Sequence, residues 1–291
     1  MSLFEAILQG IIQGLAEFLP ISSSGHLAIF QEVFDINSIG MVFDVMLHFG
    51  TLLAICVAFW SDVVNLFKEG IAIVRDFIIN IFVFFRNIGK SDNKKQSYKK
   101  MVTSPYRKFV MLVIVSTIPT GILGILLEEL ITKASTSLLI VGICLLITGV
   151  LLLISDCLPS GKKNAKNISY KEAGFVGIVQ GFATLPGISR SGSTITACLL
   201  CGFDKSFAVK YSFIMSIPAV LGATILELKD FGSLSISGTE ISHYIIGTVI
   251  AAVIGYICIK TMLVLVRGKK YKYFSYYCFM MGIFAILWHF A

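Results

Sequence analysis

Gln13-Gly14-Leu15-Ala16-Glu17-Phe18-Leu19-Pro20-Ile21-Ser22-Ser23-Ser24-Gly25-His26 recurs later in the chain in modified form. The second version reads Gln180-Gly181-Phe182-Ala183-Thr184-Leu185-Pro186-Gly187-Ile188-Ser189-Arg190-Ser191-Gly192-Ser193, and corresponding residues are 167 positions apart. Each version places a proline and several hydroxyl side chains inside apolar surroundings, where proline interrupts a helix. The repetition predicts a duplicated chain whose two broken segments carry the chemistry.

The composition predicts a membrane protein. Of the 291 residues, 56% are hydrophobic and only 14% are charged, with a mean hydropathy of +0.86. Soluble domains carry roughly 25% charged residues, and no soluble core needs this much apolar surface. The first residues lack a basic region ahead of the apolar segment, so a cleavable signal peptide is not expected.

The net charge does not indicate a nucleic-acid-binding protein, and the cysteines do not indicate a metal or redox site. The charge of +7 is concentrated in a few loops between apolar segments, which is typical of membrane topology and excludes nucleic acid as the partner. Cys198 and Cys201 have CxxC spacing, but they lie in an apolar helix without a second ligand pair. We therefore interpret these cysteines as core packing.

Six apolar segments are predicted to cross the bilayer, and two more are broken in the middle. The crossings are expected at about 41–60, 109–127, 138–155, 206–227 (interrupted by Pro218), 244–263 and 273–290. The broken segments, 3–34 and 173–203, each read as two helices too short to span roughly 30 Å of hydrocarbon. They are predicted to be re-entrant hairpins. Lys210, near the start of the fourth crossing, is expected to extend its ammonium group to the membrane surface.

The basic loops predict the orientation. Lysine and arginine concentrate in loops 61–108, 156–172 and 264–272, whereas loops 128–137 and 228–243 carry few. Because basic loops stay in the cytoplasm, both termini are predicted outside. The hairpins then enter from opposite sides, which is an inverted-topology repeat with residues 1–155 as the first unit and 156–291 as the second.

Residues 62–88 are the part of this scheme that the pattern decides least well. Charged residues interrupt the stretch, and its longest apolar run, Phe77 to Phe85, is too short to span. We interpret it as an interfacial or cytoplasmic helical insertion within 61–108. A hidden crossing here would reverse the orientation of everything upstream.

Ionisable residues inside apolar segments mark candidate function, because burying charge in lipid is costly. Glu17, His26 and Arg190 are the clearest. Gln13 lies one turn before Glu17 and shares its helix face. His26 alone would suit a single structural hydrogen bond, but beside Glu17 and three serines it becomes a candidate acid, base or nucleophile.

The two tips together predict a phosphate site. Helix N-termini bind anions, and the guanidinium of Arg190 matches phosphate oxygens. Glu17 would repel a bare phosphate, so it requires either a bridging divalent cation or a role as base. The alternative, a structural Glu–Arg ion pair, stays open at this stage. Asp44 and His48 share a helix face, and they either line the same cavity or pair with each other.

These motifs resemble those of the bacterial undecaprenyl-pyrophosphate phosphatases of the bacitracin-resistance type. The family pattern [E/Q]-x-x-x-E followed by Pro-x-Ser-Ser-x-Gly-His is matched from Gln13 to His26. Its second pattern, Pro-Gly-x-Ser-Arg-Ser-x-x-Thr, is matched from Pro186 to Thr194. The chain has Gln13 where the family accepts Glu or Gln, which leaves Glu17 as the principal carboxylate.

The resemblance implies an all-α polytopic enzyme of the bacterial plasma membrane that hydrolyses a C55 isoprenyl diphosphate with Mg²⁺ or Ca²⁺. It implies catalytic roles for Glu17 (also the metal ligand), Ser23, His26 and Arg190. It implies substrate binding by Gln13, Ser22, Ser24, Ser189, Ser191 and Thr194. The expected partners are the polyprenyl diphosphate and membrane lipid, and the sequence leaves open whether the chain forms a homodimer.

Two other function classes share parts of this pattern. A transporter or flippase of lipid phosphate or of a small solute also uses inverted repeats and broken helices. It has little need for serines beside Glu and His facing an arginine. A structural membrane scaffold would not retain intramembrane charges. Fold alone does not separate these classes, so the site has to.

Overall fold

A computed structural model describes residues 1–34, 36, 41–227, 238–265 and 270–291. Over these residues the protein is all-α, apart from an isolated parallel bridge between Lys163 and Phe203. The helices are α1 (Leu3–Phe18), α2 (Ser23–Val33), α3 (Met41–Ala58), α4 (Trp60–Asn87), α5 (Pro105–Leu126), α6 (Glu128–Ser135), α7 (Leu138–Cys157), α8 (Tyr170–Phe182), α9 (Arg190–Leu200), α10 (Lys205–Glu227), α11 (Gly238–Leu265) and α12 (Tyr271–His289), with a short 3₁₀ turn at Asp92–Lys94.

The all-α polytopic class is confirmed. By length and hydropathy, four described helices are able to cross a membrane: α5, α7, α10 and α11. A fifth span is available from α3, which passes the same test together with α4 across a 91° bend. Each of the six predicted crossings coincides with a helix, and Pro218 lies inside α10 as expected. The sixth crossing, by α12, stays a prediction because the helix begins with polar residues.

Both broken segments form pairs of short helices that meet at their tips. α1 has 16 residues and α8 has 13, so neither exceeds about 24 Å at 1.5 Å per residue. A Cβ placed on Gly25 would lie 2.9 Å from the Cα of Gly187, so the two tips touch. Gly187 has a φ of 92°, which favours glycine at this turn.

The long helices pack across the two halves of the chain. α1 lies on α11 and α8 lies on α5, while α3 contacts α10 and α7 contacts α12. Gly10 on α1 faces the backbone of Gly247, and its counterpart 167 positions later, Gly177 on α8, faces Ser116. Small residues let membrane helices approach closely. This cross-packing brings each hairpin against a helix of the other half; the repeat boundaries 1–155 and 156–291 remain a prediction.

The first part of the predicted insertion 61–108 lies in one continuous helix. α4 runs 28 residues at 91° to α3, and the chain then returns along it to α5. The helical prediction for 62–88 is therefore correct, and the structure shows a longer helix than the apolar run indicated. Lys210 makes an ion pair: its Nζ lies 2.9 Å from the Asp62 carboxylate on α4, and 34% of the lysine side chain is exposed. The predicted extension of Lys210 to the membrane surface stays a prediction.

Cys198 packs in the core as predicted, whereas Cys201 follows the end of α9 and is half-buried. All seven cysteines are free, and Cys198 is fully buried in the main hydrophobic core. Burial in an apolar environment makes Cys198 a packing residue.

Candidate active site

The first hairpin tip is built by α1, a tight turn and the start of α2. Gln13 and Glu17 lie on the same face of α1, and both are buried. Ser22 caps α2, accepting a hydrogen bond from the amide of Gly25 at 3.3 Å. Ser22 has a φ of 72°, a conformation that costs a non-glycine residue on the order of 1 kcal/mol or more. The tip is thus strained at the residue that precedes Ser23.

Glu17 is the centre of the polar contacts. Ser23 Oγ donates to Glu17 Oε2 at 2.6 Å, and Gln13 Nε2 donates to the same oxygen at 3.1 Å. His48 Nε2, on α3, lies 3.9 Å from it. Arg190 Nη2 contacts the other carboxylate oxygen, Glu17 Oε1. The carboxylate therefore joins four elements, although only 8% of the residue is exposed.

The Glu17–Arg190 contact crosses the two halves of the chain. Arg190 is the first residue of α9, and Ser189 caps that helix by accepting from the amide of Gly192 at 3.0 Å. Thr194 Oγ1 donates to the Arg190 carbonyl oxygen at 2.8 Å and lies 2.5 Å from Ser212 Oγ on α10. The turn that carries the guanidinium is thereby tied to α10. The predicted convergence of acid, hydroxyl and guanidinium is observed.

The remaining predicted binding residues lie at the two tips with different exposures. Ser24 is half-buried, with its Oγ 3.4 Å from Ser22 Oγ. Ser191 is buried, 3.4 Å from Ser189 Oγ. Thr194 is fully buried, and its hydroxyl bonds the carbonyl oxygen of Arg190 and the hydroxyl of Ser212. The roles assigned to these residues stay predictions.

His26 has both ring nitrogens engaged. Nδ1 lies 2.7 Å from the Ser22 carbonyl oxygen, and because a carbonyl only accepts, Nδ1 carries the proton. Nε2 lies 2.8 Å from the hydroxyl of Tyr277 on α12, and the two rings are stacked. In neutral histidine Nε2 then accepts from Tyr277. His26 thus braces the strained Ser22 turn, and Ser23 donates to Glu17.

Replacing Tyr277 with phenylalanine is expected to lower kcat about tenfold while KM changes little. The substitution frees His26 Nε2 and loosens the turn that aims Ser23 at Glu17. The measurement is steady-state phosphate release across pH, where a new dependence near the pKa of histidine should appear. Tyr276→Phe, an exposed neighbour on α12, is the matched control. An unchanged kcat and pH profile would mean that Tyr277 only fills space.

The oxygen donors fit one hard divalent cation. Gln13 Oε1 is buried beside Glu17 and has no hydrogen-bond partner, which is an orphaned ligand-type oxygen. Among the described residues, no group of three His, Cys, Asp or Glu side chains could hold a metal on its own. Mg²⁺ is commonly held by one or two carboxylates together with substrate phosphates, so a closed protein cage is not required.

Two contributors were not assigned to the site from sequence. Tyr277 carries no sequence signal, because it is one of several aromatic residues in the last apolar segment. His48 was left open between lining the cavity and pairing with Asp44. The structure places His48 Nε2 near Glu17, while His48 Nδ1 bonds the carbonyl oxygen of Asp44 at 2.8 Å.

Comparison with known proteins shows the family of the chain. The family model described as "Bacitracin resistance protein BacA" matches residues 6–284. The chain belongs to the BacA family. The BacA match contains both hairpin tips, Glu17, Arg190 and Tyr277.

Similar BacA relatives cover nearly the whole chain. The undecaprenyl-diphosphatase of Halothermothrix orenii is 43% identical over 287 residues, covering 99% of this chain and 98% of that protein. The undecaprenyl-diphosphatases of Methanosphaera stadtmanae and Alkaliphilus metalliredigens are each 40% identical, with the same shares covered.

Proposed function

We propose that this chain hydrolyses undecaprenyl diphosphate to undecaprenyl phosphate and inorganic phosphate. The observation that carries the proposal is the Ser23–Glu17–Arg190 arrangement, a hydroxyl donating to a carboxylate that contacts a guanidinium at the meeting point of two helix N-termini. The names of the BacA relatives supply the substrate, and the hydrophobic surroundings suit its lipid tail.

Ser23 and Glu17 are arranged for nucleophilic attack. The 2.6 Å hydrogen bond places the Ser23 proton on a carboxylate that accepts it as the oxygen attacks the terminal phosphorus. A bond from Ser23 Oγ to phosphorus forms, the phosphoanhydride bond breaks, and undecaprenyl phosphate leaves. Water then attacks the phosphoserine and releases inorganic phosphate. Direct attack by water, with Glu17 as base, uses the same contacts.

Arg190 supplies the charge that phosphoryl transfer needs. Its guanidinium would bind phosphate oxygens, together with the free amides at the first turns of α2 and α9. In the structure Arg190 contacts Glu17, so the arriving diphosphate has to compete with that carboxylate for it. The ion pair thus keeps the Arg190 guanidinium beside Glu17 until the diphosphate binds.

A divalent cation, Mg²⁺ or Ca²⁺, is the expected cofactor. One arginine opposed by one carboxylate leaves the diphosphate charge largely uncompensated, and a cation would offset it. Glu17 and the unpartnered Gln13 Oε1 are the residues that would hold the ion.

The setting we propose is the plasma membrane, with both termini outside. The basic loops support this orientation through the positive-inside rule. It puts the hairpin with Glu17, Ser23 and His26 on the outer side, which favours external access of the diphosphate. No observation favours the transporter alternative, so it is not proposed.

Phosphate release by pure protein in detergent tests the function. The wild type should release inorganic phosphate from undecaprenyl diphosphate, and chelation with EDTA should remove the activity, with recovery on adding Mg²⁺ or Ca²⁺. Arg190→Lys should lose about a hundredfold in kcat/KM, because a single ammonium cannot replace two parallel donors. Lys166→Arg, an exposed substitution before α8, is the control. Failure of the pure wild type to release phosphate would refute the proposal.

A further inference from the structure

The outward face of α4 is apolar along its whole length. Large side chains recur there at steps of three and four residues, which is the period of one helix face. Their exposure is high, reaching 70% for Phe67 and 64% for Phe85. The exposed apolar residues of this face are Trp60, Phe67, Ile71, Val74, Phe77, Ile78, Ile81, Phe82, Phe84 and Phe85.

The inward face of α4 carries its acidic and amide side chains, with Ile73 and Val83 buried among them. Its acidic residues, Asp62, Glu69 and Asp76, are seven residues apart and therefore share a face. Glu69 and Asp76 both bind Arg107, at 2.9 and 2.8 Å. Asp62 binds Lys210 at 2.9 Å.

Two asparagines complete this inward face. Asn80 makes hydrogen bonds with the backbone of Lys99, and Asn87 does the same with Gln96. The returning segment 88–104 is thereby held against the polar side of the helix. α4 thus turns its charged and amide side chains toward the protein and its large apolar side chains outward. A surface helix of a soluble protein does the reverse. Such an order is stable when the outward face meets an apolar medium.

The basic residues of α4 border the apolar face. Lys68, Arg75 and Arg86 are exposed and lie on one side of it, seven and eleven residues apart. Arg75 also donates to Asp76 at 3.3 Å, but 65% of its side chain stays exposed. Every acidic residue of α4 is turned inward and paired, so the outward charge of the helix is positive. A second copy of the chain would bring these cations against their own counterparts, whereas anionic lipid would neutralise them.

We propose that α4 lies in the lipid–water interface of the cytoplasmic leaflet, with its apolar face in the acyl boundary and Lys68, Arg75 and Arg86 bound to the phosphates of anionic lipids. The 91° bend from α3 supports this, because a helix perpendicular to a crossing lies along the membrane plane. The partner is thus a negatively charged lipid surface. The inference does not depend on the enzymatic activity.

Tryptophan quenching in proteoliposomes tests the position of α4. In a full-length Trp60→Phe/Trp288→Phe background, Ile78→Trp reports on the apolar face, and Lys94→Trp, in the exposed returning segment, is the matched control. Brominated lipid should quench residue 78 at least about twofold more than residue 94. Lipids brominated near the headgroup should quench the tryptophan at position 78 more strongly than lipids brominated near the ends of their acyl chains.

Three outcomes would overturn the proposal. Equal quenching at positions 78 and 94 would place α4 in water. Stronger quenching from the chain ends would make α4 a membrane crossing. Quenching at 78 that appears only when the protein is diluted in lipid would mean that a second copy covers the face.

The charge requirement has its own test. Brominated phosphatidylglycerol should quench residue 78 about two- to fivefold more than brominated phosphatidylcholine at equal content, because the three cations concentrate anionic lipid. The variant Lys68→Gln/Arg75→Gln/Arg86→Gln should reduce this ratio to about one, while Lys90→Gln/Lys94→Gln/Lys100→Gln, in the returning segment, keeps it. A ratio of one in the parent protein would refute anionic lipid as the partner.

Discussion

Glu17→Gln is expected to reduce kcat for undecaprenyl diphosphate hydrolysis about a thousandfold. Glutamine keeps the size of the side chain and still accepts the hydrogen bond from Ser23 Oγ. It cannot take up the proton, and it removes the carboxylate that would hold the proposed cation. The measurement is inorganic phosphate release from purified protein in detergent at saturating Mg²⁺ or Ca²⁺.

A double variant separates catalysis from a structural ion pair. If Glu17 and Arg190 only stabilise the fold, Glu17→Gln/Arg190→Gln should recover stability and activity, because no unpaired charge remains buried. If both act on substrate, the double variant stays inactive while its thermal unfolding midpoint recovers. Asp62→Asn, which breaks the ion pair with Lys210, is the control and should retain activity. Recovered turnover in the double variant would disprove the catalytic role.

Ser23→Ala is expected to lower turnover by about 10⁴-fold or more, the scale seen when a nucleophile is removed. Ser23 Oγ is the hydroxyl hydrogen-bonded to the Glu17 carboxylate, and alanine removes the oxygen that we propose attacks the phosphorus. Acid quenching of wild type with substrate labelled on the terminal phosphate should trap labelled protein, and Ser23→Ala should trap none. Thermal unfolding should change little.

Ser242→Ala on α11 is the matched control for Ser23→Ala, because Ser242 is exposed and its hydroxyl donates to the carbonyl oxygen of Thr239 in its own helix. It should keep full turnover. Substantial phosphate release by Ser23→Ala would instead assign the attack to water, with Glu17 as base. Labelled protein persisting in Ser23→Ala would point to another nucleophile, for which His26 is poorly placed because both its ring nitrogens are engaged.

The helices were predictable because each depends on a local pattern. Hydrophobic runs of membrane-spanning length and prolines at the tips are read directly from neighbouring residues. α4 was only partly predictable. Its continuity through Asp62, Glu69 and Asp76 depends on Arg107 and Lys210, which come from elsewhere in the chain. From the local sequence alone, such charges are read as interruptions of an apolar segment. In the fold, their ion pairs with Arg107 and Lys210 allow the helix to continue through them.

The candidate site was predictable in its members and unpredictable in its contacts. The repeat indicated that Glu17 and Arg190 would converge, since duplicated hairpins from opposite sides meet. The repeat could not indicate that Tyr277 would bond His26, because Tyr277 lies in α12, outside both motifs. Nor could it indicate that the hydroxyl of Thr194 would donate to the carbonyl oxygen of Arg190.

The amino-acid sequence by itself determined that the chain is a helical membrane protein. It also determined that two interrupted hairpins carry the polar side chains of the site at their tips. Those properties follow from composition and from short-range periodicity. Tertiary structure alone decided which groups touch: Glu17 accepts the hydrogen bond from Ser23, while His26 bonds Tyr277 and the carbonyl oxygen of Ser22. Hydrogen bonds act over about 3 Å, and which atoms come that close depends on how helices distant in sequence cross and pack.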